Sequence, residues 1–372
     1  MYLKDLTTPA LILDRRILAA NTGAMTARMR RHGVNLRPHL KTAKSADVAR
    51  LALEGNFGGI TVSTLREAGY FLEHGITDIT YAVGMVPAKL DTAATLCEKG
   101  ANLKILTDNV EVAQAIAAHG AAHQVLIELD TGDKRGGVAP QGPELVEIGR
   151  ILDKAPAVTL AGVLTHAGHS YDCRDADAVA AVAEAERAGA VMAAEGLRAA
   201  GLPCPVVSVG STPTAVFARD LTGVTEMRPG VYMFYDLFQA GIGVCRLEDI
   251  AVTVLASVIG QRRADNILLI DAGALALSKD RSTATLPEDC GYGLVCDAES
   301  GQPIKGLRVQ TVDQEHGFVT AEQPMPFDKL PVGTKVRILP NHACITAAAY
   351  DAYNVIDGTN EVIAWWSRCN GW

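Results

Sequence analysis

The chain has 372 residues, 48% of them hydrophobic, and a formal net charge of −8 at pH 7. That supplies core enough for two domains, or for one large barrel with an appendage. The acidic balance, without any basic block, excludes nucleic acid as the main partner.

No stretch reaches the ~18 unbroken apolar residues of a membrane span, and Met1–Leu6 lacks the apolar run of a signal peptide. Eight scattered cysteines without a Cys-x-x-Cys pair fit reduced thiols in a cytoplasm.

In chain order, Thr8–Asp14 reads as a strand. Arg15–Arg31 carries Leu18, Met25 and Met29 at helical spacing, and Gly33 stops it. Strands and helices then alternate. The strands are Val34–Arg37, Gly59–Val62, Ile79–Val83, Leu103–Leu106, Gln124–Leu129, Leu160–Leu164, Pro205–Val209 and Val224–Phe234. Helices begin near Ser45 and at Leu65, Pro87, Val110, Pro143 and Ala176, with a short one after Pro213. Proline at their starts and glycine at their stops is the expected asymmetry.

Eight such units in about 200 residues predict an α/β fold, a (β/α)8 TIM-like barrel. The alternative is an open doubly wound sheet, but no Gly-x-Gly-x-x-Gly follows the first strand. After about Gln239 come short runs rich in Val, Ile and Thr, with an Asp357-Gly358 hairpin signal. They predict a C-terminal antiparallel β domain. The expected division is 15–239 for the barrel and 1–14 with 240–372 for the β domain, since eight strands already follow Thr8–Asp14.

Chemistry in such a barrel sits on the loops after its strands. The first strand leads to Arg37-Pro38-His39-Leu40-Lys41, which puts Lys41 in a turn where it can meet a ligand. The plainer reading makes Lys41 and Lys44 solvated loop charges. The fifth strand leads to Asp130–Gly137 with Lys134 and Arg135, the sixth to Thr165, His166, His169, Ser170 and Tyr171. The seventh leads to Gly210-Ser211-Thr212-Pro213, and the eighth carries Arg228, Gly230 and Tyr232. A Gly-Ser-Thr turn opening a helix suits phosphate, or is ordinary N-capping. A lysine and a phosphate cup at one barrel mouth suggest pyridoxal phosphate held as a Schiff base. In Pro340-Asn341-His342-Ala343-Cys344, an extended chain would put His342 and Cys344 on one side. Imidazole plus thiolate suits zinc; the alternative is a half-buried histidine beside an inert cysteine.

Five segments carry a resemblance: Arg37–Thr42, Thr165–Gly168, Val209–Pro213, Arg228–Tyr232 and Pro340–Cys344. Together, in this order and over nearly the whole chain, they resemble the D-serine dehydratase and D-threonine aldolase family, pyridoxal-phosphate enzymes with the alanine-racemase-like fold. The resemblance implies a cytoplasmic homodimer acting on a small β-hydroxy D-amino acid, such as D-serine or a 3-hydroxyaspartate, with no nucleic-acid or membrane partner. It implies that Lys41 carries the cofactor and that His342 and Cys344 bind a divalent metal (zinc, manganese or magnesium). Arg228 falls where alanine racemases place an arginine near the pyridine nitrogen, and Arg135 where one approaches the phenolic oxygen. Gly210, Ser211, Thr212, Gly230, Val231 and Tyr232 match the phosphate-binding segments. Thr165, His166 and Tyr171 fall on the cofactor side, His166 also as a catalytic group.

The expected activity is metal-assisted dehydration to a 2-oxo acid and ammonia. Retro-aldol cleavage is the alternative, with a racemase or a non-catalytic cofactor carrier behind it. In the family, the aldolases carry Asp where this chain has Cys344, which favours dehydration. A second substrate carboxylate would need a donor, for which Lys134, His169 and Arg281 are candidates.

Overall fold

The alternation of short apolar strands with helices produces one parallel sheet. In the computed structural model, which describes residues 1–372, β1 (Ala10–Asp14) lies outside that sheet and α1 (Arg15–His32) leads into it. Its strands are β2 (Asn35–Leu36), β3 (Ile60–Val62), β4 (Asp78–Gly84), β5 (Asn102–Thr107), β6 (His123–Leu129), β7 (Val158–Thr165), β8 (Val206–Val209) and β9 (Glu226–Met227). Between them run α2 (Ala46–Leu53), α3 (Leu65–Glu73), α4 (Leu90–Glu98), α5 (Val110–His119), α6 (Pro143–Lys154), α7 (Ala176–Ala199) and α8 (Thr212–Phe217). Side-chain caps start several of these helices: Thr64 accepts from the Glu67 N–H, Asn109 from Val112 and Asp175 from Ala178.

The strand order is β2-β9-β8-β7-β6-β5-β4-β3, parallel throughout. The two ends of that row meet. Thr61 N–H donates to Pro38 O at 2.9 Å, and Leu40 N–H to Thr61 O at 2.8 Å. This is the expected barrel, with one correction. The run Val224–Phe234 is not a single strand: only Glu226–Met227 pairs, and Val231–Met233 is a 3-10 turn. Pro229 has no N–H for a ladder. Gly230 must pass close to the first loop, since a Cβ there would lie 2.9 Å from His39 O.

A buried polar chain crosses the barrel strands. Lys104 Nζ meets Asp78 Oδ1 at 2.9 Å; Arg37 meets Asp78 Oδ2 at 3.0 Å and Glu226 Oε2 at 2.7 Å. Ser208 Oγ donates to Glu226 Oε1 at 2.6 Å and accepts from Arg228 at 2.6 Å, and Arg228 also donates to Thr165 O at 2.6 Å. Gly59 makes room for it, because a Cβ there would stand 2.3 Å from the Arg37 guanidinium.

The chain divides into two units, residues 23–230 with 371–372 and residues 1–22 with 231–370. The second opens on α9 (Leu237–Gly241) and is built on β10 (Val252–Arg262), β11 (Ile267–Ile270), β12 (Gly293–Asp297), β13 (Pro303–Val312), β14 (Gly317–Ala321), β15 (Lys335–Pro340), β16 (Ala352–Ile356) and β17 (Ala364–Ser367). Two short helices interrupt them, α10 (Ala274–Leu277) and α11 (Ala343–Ala347). The order is β11-β14-β13-β12-β15-β10-β1-β16-β17, and β10 also pairs β11. Long β10 thus closes a ring of antiparallel strands, helped by a register shift between Val258 and Gly260. β1 extends this sheet, antiparallel to β10 and parallel to β16.

The fold makes a direct prediction. Glu226 and Arg37 are nearly inaccessible to solvent, so Glu226→Ala removes one of the two carboxylates that hold a buried guanidinium and leaves Asp78 as the other. Urea unfolding should show a loss of roughly 1.5–3 kcal/mol, that of a buried charge-assisted hydrogen bond. A loss below about 1 kcal/mol, the range of an exposed pair, would mean that the pair does not hold the barrel.

Candidate active site

The ends of the barrel strands converge on a cavity of about 480 Å³. His39 and Lys41 enter it from the loop after β2, Ser63 from β3, Asp108 from β5 and Glu128 from β6. Arg135, His166, Gly210 and Arg228 complete the polar lining. Lys41 and Lys44, three residues apart, have different fates. Lys44 Nζ pairs with the buried Glu67 carboxylate at 3.0 Å, and Glu67 also accepts from Ser63 N and Oγ. Lys44 is therefore a structural cation, while Lys41 lines the cavity.

Two histidines border the lysine, and both are held neutral. Burial, then the charges of Lys41 and Arg228, pushes His39 well below the usual imidazole range. Burial, with Lys41, Arg135 and Arg228, pushes His166 down to about 3, against the pull of its bond to Gly210. His166 Nδ1 lies 2.8 Å from Gly210 O. A carbonyl only accepts, so the ring hydrogen is on Nδ1 and Nε2 keeps its lone pair. Burial likewise lowers Arg228 to about 10, although Glu226, Glu186 and Glu128 oppose it. Arg228 is 4% exposed, with its guanidinium direction set by Ser208 and Thr165. Arg135 is the exposed counterpart: its side chain is 59% open to solvent and 3.8 Å from Asp133.

The turn after β8 is tightly built. Gly210 sits at φ +125°, where an added Cβ would lie 2.3 Å from Met227 Sδ and 2.9 Å from Arg228 N. Ser211 is the N-cap of α8. It exchanges hydrogen bonds with Thr214 and shares one of 2.9 Å with Ser170. The capping alternative is thus realised for Ser211, and Thr212 is buried in the first turn. Thr165 Oγ1 donates to Leu129 O and meets Thr131 Oγ1, both at 2.9 Å. Its hydroxyl is committed to the barrel wall, while its carbonyl holds Arg228. Tyr171 stands with its ring 6.5 Å from that of His166. Tyr232 is fully buried, which raises its phenol, and Val231 begins the same 3-10 turn.

Glu186 on α7 is a functional residue missed at the sequence level. Its Oε1 accepts N–H groups of Ala167 and Gly210, both at 2.9 Å. One carboxylate therefore ties the loop after β7 to the loop after β8. The signal is present in the sequence. Val179, Ala183, Glu186, Ala190, Ala193 and Leu197 form one helical stripe, and Glu186 is its only charge.

His342 and Cys344 lie in the other unit, at the junction of β15 and α11. The chain is not extended through both, as the spacing argument assumed. His342 is the extended N-cap of α11, and Cys344 is already helical. The cause is Asp236, buried, whose Oδ2 accepts the Ala343 N–H at 3.0 Å and starts the turn. The two side chains nevertheless interact. Burial alone would lower His342. Hydrogen bonds to Asp280 and Cys344, with the charges of Cys344 and Asp236, outweigh it and raise the imidazole to about 11. Asp280 Oδ2 faces His342 Nδ1 at 2.5 Å, which leaves Nε2 for another partner, as behind metal-bound histidines. No group of three or more His, Cys, Asp or Glu side chains is gathered to hold a metal ion; the pair stands as two donors. All eight cysteines are free, and no helix is long and apolar enough to cross a membrane.

Comparison with known proteins covers both units. Residues 13–237 match the alanine racemase N-terminal domain and residues 251–356 a serine dehydratase domain. The chain is 48% identical to D-threo-3-hydroxyaspartate dehydratase of Delftia sp., across 100% of this chain and 99% of that one. It is 32% identical to D-serine dehydratase of Dictyostelium discoideum (97% and 96%) and 31% identical to D-threonine aldolase of an Arthrobacter species (96% and 91%). The solved Delftia structure superposes with a TM-score of 0.97 at 47% identity, covering 100% of both chains. Two variants of that dehydratase have also been solved, a histidine-to-alanine form and a cysteine-to-alanine form that is metal-free.

The Glu186 clamp can be tested. Burial raises its carboxyl, against the pull of Gly210, Thr214 and Ala167. Glu186→Gln, which keeps one carbonyl acceptor, should cost under about 1 kcal/mol, whereas Glu186→Leu orphans two buried N–H groups at roughly 1–3 kcal/mol each. Thermal and urea unfolding check this. Equal effects of Gln and Leu would show that the two hydrogen bonds contribute nothing.

Proposed function

Because the chain belongs to the family that joins an alanine racemase N-terminal domain to a serine dehydratase domain, we propose that it is a metal-assisted, pyridoxal-phosphate-dependent dehydratase of β-hydroxy D-amino acids. The preferred substrate class is D-threo-3-hydroxyaspartate or D-serine. One observation carries the reading: the full-length relative that is 48% identical is such a dehydratase. Its two solved variants alter a histidine and a cysteine two positions apart, the spacing of His342 and Cys344.

The residues of the barrel cavity suit the cofactor. An amine, two arginines and a glycine turn too tight for any side chain surround a space fit for an anionic aldehyde. Lys41 would hold it, with Arg135 and Arg228 on its ring and the segments Gly210–Thr212 and Gly230–Tyr232 near its phosphate. His342 and Cys344 would hold the metal; cysteine favours zinc or manganese over magnesium. When bound, the cofactor delocalises negative charge at Cα, and the metal stabilises charge on the departing β-oxygen.

The chain's own groups do the rest. Lys41 Nζ takes the proton from Cα, since the two neighbouring histidines are too weakly basic to compete. His166 offers Nε2 as a hydrogen-bond acceptor while Gly210 O fixes its ring. Asp280 orients His342. Water leaves from Cβ and re-enters at Cα, so the net products are a 2-oxo acid and ammonia. The same reading makes the protein a cytoplasmic homodimer, with residues 15–239 as the cofactor-binding domain. Retro-aldol cleavage to glycine is the competing activity, favoured by the 31% identity to D-threonine aldolase.

D-Serine, D-threonine and D-threo-3-hydroxyaspartate, each with and without chelator, separate these outcomes. Chelation should abolish 2-oxo acid formation and leave the cofactor bound; normal turnover by metal-free protein would sink the metal role. Glycine as the main product would establish the aldolase instead. Borohydride should fix the cofactor to Lys41, and Lys41→Ala should lose all turnover; a label recovered on Lys44 would refute the assignment. Cys344→Ala should lose metal and activity together, whereas Cys344→Asp should keep metal and gain some glycine formation from D-threonine.

A further inference from the structure

In a 3-hydroxyaspartate the second carboxylate is bonded to the carbon that carries the hydroxyl. A group that binds this carboxylate must therefore stand beside whatever holds the β-oxygen. Under the function proposed above, on which this inference rests, that means beside His342 and Cys344. Of the three candidate cations, Lys134 sits exposed in a left-handed turn at φ +56°, and His169 packs against Gly132, 3.1 Å from where a Cβ would be. Arg281 belongs to the unit of the metal pair.

Arg281 is also wired to that pair from two directions. It follows Asp280, whose carboxylate is 2.5 Å from His342 Nδ1. On the other side its guanidinium binds Asp289. Asp289 accepts from Gly291 N at 2.9 Å and from Thr283 Oγ1 at 3.4 Å. Thr283 is locked to Asn341, by Nδ2 to Oγ1 at 2.7 Å and by N–H to Oδ1 at 3.2 Å. Asn341 is fully buried and immediately precedes His342. The loop that carries Arg281 is thus pinned to the backbone that carries the metal ligands.

The guanidinium is positioned but not used up. Its plane lies over the Tyr292 ring at 5.4 Å, and about one third of the side chain, 34%, is open. Its Nε–H is buried with no hydrogen-bond partner. An unpaired buried donor is costly, and an incoming carboxylate would satisfy it. A small turn of the guanidinium would aim it at an incoming carboxylate, in the paired geometry that arginine forms with such groups.

We propose that Arg281 binds the second carboxylate of a β-hydroxy dicarboxylic D-amino acid and so sets the substrate class. D-Serine, which lacks that carboxylate, makes no use of it. The test compares cofactor- and metal-loaded wild type with Arg281→Met and Arg281→Lys. Arg281→Met should lower kcat/KM for D-threo-3-hydroxyaspartate about a hundredfold, mainly through KM, and change D-serine by less than about threefold. Arg281→Lys should recover part of the loss.

Two readouts stand apart from turnover. Metal content should match wild type. Calorimetric affinity for D-malate, which has a hydroxyl beside a carboxylate but no amine, should fall at least about tenfold in Arg281→Met. Equal losses on both substrates, or a loss of metal, would make Arg281 merely structural and overturn the proposal. Unchanged hydroxyaspartate kinetics would do the same, and would point to the metal itself as the carboxylate's partner. If wild type gives no 2-oxo acid from either substrate, the dehydratase reading fails, and the D-malate titration still decides the role of Arg281.

Discussion

The Arg37–Glu226 ion pair is the constraint on which the barrel mouth depends. Arg37 leaves the end of β2, the shortest strand along with β9, and reaches Glu226 on one side and Asp78 on the other. Two-residue strands supply few ladder hydrogen bonds, so side chains must fix their register. Burying charge is costly, and a well-packed apolar replacement of such a pair is often as stable. What apolar side chains could not reproduce is the sequel. Glu226 orders Ser208, Ser208 orders Arg228, and Arg228 takes Thr165 O. The pair is better understood as setting the direction of a cavity cation than as a reserve of stability.

That cavity is locally basic in a chain of net charge −8. Lys41, Arg135 and Arg228 share it with Asp108 and Glu128. The cations keep both histidines neutral, and burial does most of that work. Glu128 responds the other way: burial raises its carboxyl, with Asp108 and Asp133 adding and Arg135 and Arg228 opposing. The outcome is a division of roles. Charge that attracts an anion resides on the lysine and the two arginines, and the imidazoles are left to accept hydrogen bonds. A positive mouth on an acidic surface also focuses anionic ligands toward one opening.

Much of this was legible in the sequence, for identifiable reasons. α3, α5 and α6 begin at the expected residues because Thr64 and Asn109 cap the first two and Pro143 opens the third. The hairpin signal at Asp357-Gly358 falls in the loop between β16 and β17, which pair antiparallel; β16 itself is no clean apolar run, because it contains Asn354, which donates to Leu11 O. The strand expected through Phe234 failed at Pro229-Gly230, where close passage of the first loop overrides β-propensity. The His342-x-Cys344 pair was found by spacing under a wrong backbone. Local capping by Asp236, 107 residues away in sequence, could not be read from the motif.

Glu186 and Asp236 share a lesson about how these sites are made. Each is a buried carboxylate that accepts hydrogen bonds from backbone N–H groups, and burial raises both carboxyls. Glu186 ties two loops of the barrel; Asp236 starts both α9 and α11, through Gln239 N at 2.9 Å and Ala343 N at 3.0 Å. Loops bearing functional groups need their own backbone donors satisfied before they can hold a fixed shape. A carboxylate does this with two acceptor atoms, without filling the space a ligand needs. The two units therefore solve one problem in the same way with unrelated elements. Positioning in each is set by an acid outside the motifs, bonded to their backbone N–H groups, which explains why the motifs alone, read as lists of ligand-facing residues, left the means of their positioning out of sight.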